Sequence, residues 1–76
     1  MDFPIKIKDF DTLFKFNDLA CQAAFDMRVE FANNIINAKS SIGLVLALNK
    51  QAKLVVPDDA DMEFLNKILA VVSAKK

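Results

Sequence analysis

The chain has 76 residues, 54% of them apolar, and ten basic side chains balance ten acidic ones to a formal net charge of zero. That length makes one domain, residues 1–76, and a domain this small must commit a large share of its residues to the core. No concentration of basic charge is present, so neither nucleic acid nor an anionic membrane is an expected partner.

Seven Phe and no Trp or Tyr supply the aromatic bulk without polar groups that need partners. The longest apolar run, Ile42 to Leu48, is interrupted by Gly43 and falls far short of the roughly 20 residues that span a bilayer. Met1-Asp2-Phe3-Pro4 lacks the basic and apolar regions of a signal peptide. The single cysteine, Cys21, excludes an internal disulfide and fits a reducing compartment, so a cytoplasmic location is expected.

In chain order, Pro4-Ile5-Lys6-Ile7-Lys8 alternates apolar and charged residues and predicts a first strand over 4–8, with Pro4 at its start. Asp9 to Thr12 offers short polar caps for a first helix. Leu13, Phe16, Ala20, Ala23 and Met27 recur at steps of three and four and define its inward stripe, which Leu19 widens. Alternation resumes over Met27–Phe31 and predicts a strand over 27–32, so the helix should end near Phe25 or Asp26. Asn33-Asn34 suits a two-residue hairpin turn into a strand over 34–38. Ser40 is the expected N-cap of a second helix. A fourth strand follows over 53–56, closed by Pro57-Asp58-Asp59. Asp61 is placed to cap a third helix with Leu65, Ile68 and Val72 inward, Phe64 and Leu69 flanking them, and Lys75-Lys76 complementing its dipole. The order βαββαβα suggests an α+β open-faced sandwich, a four-stranded mainly antiparallel sheet with three helices on one face. Lys6, Lys8 and Glu30 suit the open face.

Asn37-Ala38-Lys39-Ser40-Ser41-Ile42-Gly43-Leu44 resembles the hairpin-to-helix junction of the bacterial histidine-containing phosphocarrier (HPr) family, which reads Asn-Ala-Lys-Ser, two apolar residues, Gly and an apolar helix. Ser41 in the first apolar place is the one departure, and the element order along the whole chain agrees with that family. The active loop does not. Where the family has Gly-x-His-Ala-Arg-Pro, this chain has Asp9-Phe10-Asp11-Thr12-Leu13-Phe14-Lys15, and it contains no histidine at all. Phosphotransfer through an imidazole is therefore impossible. Asp11 is the nearest substitute acceptor, but an aspartyl-phosphate relay needs cationic or metal stabilisation, and Lys15 is the only cation nearby. A helix cap or surface carboxylate is the better reading of Asp11.

The resemblance implies a regulatory phosphorylation site at Ser40, matching the serine that a dedicated HPr kinase modifies in Gram-positive bacteria. A capping role is compatible with it, because phosphate at a helix N-terminus meets unpaired N–H groups. It also implies partner docking on the exposed part of the second helix, through Ser41, Ile42 and Val45. The residues themselves show that helix to be apolar on two stripes: Leu44, Ala47 and Leu48 form one, and Ile42, Val45, Leu46 and Asn49 the other. The first helix has a second row as well, Phe14, Cys21 and Phe25, extended by Phe10. Such excess marks either an interface or two helices sunk against each other. Cys21 reads as a small apolar side chain rather than a nucleophile.

The leading expectation is a non-enzymatic HPr-like regulatory or adaptor module, similar to the catabolite-repression HPr-like proteins. It would bind a regulator, HPr kinase or itself, with no cofactor and no metal. The alternatives are a sugar phosphotransferase-system phosphocarrier with a non-histidine acceptor and a purely structural or oligomeric module.

Overall fold

The computed structural model describes residues 1–73. Its elements are β1 (Asp2–Lys6), α1 (Phe10–Gln22), β2 (Arg28–Phe31), β3 (Asn34–Asn37), α2 (Ser41–Leu46), β4 (Gln51–Val55) and α3 (Met62–Val72). The four strands form one antiparallel sheet in the order β1-β4-β2-β3. This is the expected open-faced sandwich, and Lys75 and Lys76 lie outside the described residues.

The sheet's two faces follow from its register. Val29 pairs with Leu54 on one side and Ile36 on the other, and all three are buried beneath the helices. One position along, Glu30 sits between Lys53 and Ile35 on the opposite, open face. Lys6 shares that face, whereas Lys8 lies beyond β1, which ends earlier than predicted. Met1 exchanges both hydrogen bonds with Val56, so alternate residues of β1 turn their amides towards β4 and Pro4 turns outward. Pro4 therefore sits in mid-strand on a sheet edge, where its missing N–H leaves no ladder bond unmade. Beyond β1 the chain stays attached through Ile7, which bridges to Leu48 and whose carbonyl accepts from the Asn49 amide.

The predicted inward stripes are buried. Leu13, Phe16 and Ala20 of α1 and Leu65, Ile68 and Val72 of α3 meet Ile5, Val29, Leu44 and Leu54 in one core. Asp9 caps α1 by accepting from the Thr12 amide at 2.8 Å, and Asp61 caps α3 through Glu63 N–H at 3.0 Å.

Three further local expectations need correction. α1 ends at Gln22, three residues early. The Ala23 amide closes the last turn on Leu19 and Ala20, after which Ala23 adopts an extended conformation. Phe25 leaves the helix and packs edge-on against Phe64 of α3, with ring centroids 6.3 Å apart, and Met27 reaches the core from outside the helix. The hairpin turn is Ala32-Asn33, both at positive φ, and Asn34 already pairs with Phe31. Face alternation cannot separate this register from the one expected, because the two differ by two residues. In the register adopted, the amide of the buried Ala38 bonds to the Met27 carbonyl at 3.1 Å. Finally, β4 begins at Gln51 and ends at Val55, two residues longer than predicted at its start.

Candidate functional site

Asn37 organises the junction between β3 and α2. Its carbonyl accepts from Ser40 N–H at 2.9 Å and its side-chain oxygen accepts from Lys39 N–H at 2.9 Å, which turns the chain out of the sheet. Ser40 is then the N-cap of α2 in extended conformation, and its hydroxyl oxygen accepts from Gly43 N–H at 3.1 Å. Ser40 is an exposed residue.

Gly43 permits the close approach of α2 to the sheet. A Cβ at that position would lie 2.6 Å from the Ile36 Cγ2 and 3.2 Å from the Ser40 Oγ. The helix sinks only Leu44, with Ala47 buried just after it and Leu48 half-buried. It ends after six residues in a tightened turn, the Ala47 and Leu48 amides bonding the Leu44 and Val45 carbonyls, and Asn49 at a positive φ of 64° then redirects the chain into β4. The other stripe faces out: Ile42 is 84% exposed, Val45 44% and Leu46 63%. Ser41 is half-buried.

On α1, Phe10 and Phe14 are 53% and 59% exposed, and their rings stack at 6.3 Å. They lie on the α2 side of the helix. Asn17 and Cys21 continue the same row at helical spacing, and they reach the chain just ahead of α2. Asn17 donates to the Ala38 carbonyl at 3.2 Å, and the Cys21 sulfur lies 4.0 Å from the Lys39 carbonyl. The structure thus brings Phe10, Phe14, Ile42 and Val45 to one side of the molecule, with Ser40 and Ser41 at its α2 end. Cys21 is exposed rather than packed inside, and Phe25, expected in this row, lies past the end of α1 and packs on Phe64 of α3 instead. Leu46 completes the surface. Its stripe is legible in the sequence, but its exposure depends on how early α2 ends.

Asp11 is exposed in the first turn of α1, and its carboxylate pairs with Lys15 at 3.2 Å. The cap is Asp9, held below the ordinary carboxylate range by hydrogen bonds from Thr12, the side chain first and then the backbone amide, with minor help from Lys8 and Lys15. Among the described residues, no three His, Cys, Asp or Glu side chains group to hold a metal ion, and no helix is long and apolar enough to cross a membrane. The strand-lined hollow of the open face, around Pro4, Glu30 and Lys53, is shallow and lies on the other side of the sheet from Ser40.

No protein-family model matches the chain, and no curated protein sequence matches it. Solved structures do. The crystal structure of HPr-C-His from Thermoanaerobacter tengcongensis superposes with a TM-score of 0.76 at 22% identity, covering 93% of this chain and 89% of that one. The phosphocarrier protein HPr from Bacillus anthracis str. Ames gives a TM-score of 0.76 at 16% identity, covering 96% of each chain. With matching strand order, helix placement and near-complete coverage of both chains, this protein has the fold of the HPr phosphocarriers.

Proposed function

We propose that this chain is a non-enzymatic, HPr-like regulatory or adaptor module that acts by binding proteins through the exposed face of α1 and α2, under control of phosphorylation at Ser40. The observation that carries this reading is the exposed apolar surface of Phe10, Phe14, Ile42, Val45 and Leu46 beside the exposed residue Ser40. Large apolar side chains gathered on one surface are the mark of a binding site. The likeness to HPr structures supports placing this module in the same protein-binding class, and the missing histidine removes the phosphocarrier role that a phosphoryl-accepting imidazole would serve.

Phosphate on Ser40 would replace a neutral cap by a dianion at the α2 N-terminus, where the freed amides and Lys39 favour it. It would also set that charge beside Ile42 and so change what the apolar surface binds. Incubation with HPr kinase and labelled ATP tests the reading. One phosphate should appear on Ser40 and none on Ser40→Ala, and absence of label on the wild type would remove the regulatory half. Asp11 is the weaker alternative, since its only close cation among the described residues is a solvent-exposed lysine.

A further inference from the structure

We infer that the α1–α2 face is covered by a second copy of this chain in a twofold-symmetric dimer, an inference that rests on reading that face as a protein interface. Area is the first reason. Fully exposed side chains of this size present on the order of 150–200 Å² each, so Phe10, Phe14, Ile42, Val45 and Leu46 at their observed exposures leave roughly 500 Å² of apolar surface. A twofold contact buries the same patch on both copies, about 1,000 Å² before any rim is counted, which reaches the size that separates specific interfaces from incidental ones.

Charge is the second reason. A twofold contact places each group near its own image, so a patch of one sign repels itself. The patch itself is uncharged and is flanked by charges of both signs. α2 has no ionisable side chain from Ser41 to Leu46, Asp11 pairs with Lys15 on α1, Lys39 ahead of α2 pairs with Asp26, and Asp18 is an exposed carboxylate on the flank of α1. A strongly acidic or basic partner would find no complement here. Flatness of charge and sufficient area together fit a surface that binds itself.

The open sheet face provides the internal control. Ile35 is 67% exposed there, among Lys53, Glu30 and Arg28, and belongs to no comparable cluster. Sedimentation velocity between about 1 μM and about 1 mM tests the dimer over standard free energies of about −8 to −4 kcal/mol. The wild type should sediment as a dimer at the upper end. Ile42→Lys and Leu46→Lys, at exposed positions, should remain folded by circular dichroism and dissociate with a constant at least about 10-fold higher. Ile35→Lys should dimerise like the wild type. A wild type monomeric at the highest concentration overturns the dimer, as does a dimer that Ile35→Lys disrupts and Ile42→Lys does not. The docking face is read separately, on binding of Ile42→Lys to HPr kinase. A monomeric wild type whose kinase binding Ile42→Lys abolishes would overturn self-association and leave the docking face standing.

Discussion

Replacing Gly43 by alanine should destabilise the protein even though alanine is the better helix former. The backbone does not require glycine at this position, because no glycine takes a positive φ. Space is the constraint. The new Cβ would lie 2.6 Å from the Ile36 Cγ2, about 1 Å inside an ordinary carbon–carbon contact of roughly 3.5–4.0 Å. Ile36 is a stiff β-branched residue in β3 and only 8% exposed, so a change of χ1 either moves its second branch towards the same site or must repack a buried side chain in a less favoured rotamer. Relief must come from lifting α2 off the sheet, which also disturbs the Ser40 Oγ, 3.2 Å from the new atom. Overpacking of this kind costs about 1–3 kcal/mol, offset by about 0.8–1.0 kcal/mol of helix propensity, which leaves Gly43→Ala less stable by up to about 2 kcal/mol. Urea unfolding at constant m-value measures it as a lower midpoint. In an Ile36→Ala background, itself about 2–5 kcal/mol destabilised, the obstruction is gone, and Gly43→Ala should be neutral or stabilising by up to about 1 kcal/mol. An equal loss in both backgrounds, or a gain in the wild type, would refute the steric account.

Four further outcomes are expected. Ser40→Ala should lose about 0.5–2 kcal/mol of stability in urea unfolding through loss of the cap, whether or not Ser40 is ever modified. The Asp9 carboxyl should titrate below its ordinary value of 3.8 when followed by NMR. Because the folded state depresses this pKa, the stabilisation it brings is present above pH 3.8 and lost as pH falls through the lower folded value; Asp9→Asn, still a good cap, should lack that component of the pH dependence. Ala32→Gly should raise the unfolding free energy by up to about 1 kcal/mol, read as a higher urea midpoint, because Ala32 holds a φ of 46° that costs alanine but not glycine. Incubation with phosphoenolpyruvate and the general sugar-system phosphotransferase should leave the chain unlabelled. Acid-labile label on Asp11 would contradict that expectation.

What the sequence discloses here follows from periodicity and capping. Leu13, Phe16 and Ala20, and again Leu65, Ile68 and Val72, declare their helices by spacing and are all buried. Ser40 and Asp61 announce helix starts because a short polar side chain before an apolar run has few other uses, and both are caps in the structure. Element ends are less visible. Met27 keeps the spacing of α1 and is buried like its stripe, yet it arrives there after the helix has ended. Nothing local distinguishes the two cases, since the decision belongs to the Phe25–Phe64 contact with a distant helix. The turn at Ala32-Asn33 is hidden for the same reason: asparagine signals the vicinity, while the pairing of Val29 with Ile36 fixes the residue. For the candidate surface, the apolar excess of α1 and α2 is readable as composition. Its gathering on one side of the molecule is not, because that depends on Asn17 and Cys21 drawing α1 against the junction ahead of α2.

The strand order β1-β4-β2-β3 sets a schedule for folding. β4 lies in the interior of the sheet but is the last strand made, and Met1 meets Val56 across a sequence separation of 55. A chain leaving the ribosome can form α1 and the β2–β3 hairpin early, since both are local. β1 must wait unpaired until Gln51–Val55 has emerged and slotted between it and β2. Closing a loop of that length costs about 3.5 kcal/mol of chain entropy before any contact in β4 returns it. Refolding should therefore be limited by the arrival of β4, with the first strand exposed to other chains in the interval. A circular permutant opened between α2 and β4, which makes β4 the first strand and joins α3 to β1 through the old termini, would remove that wait.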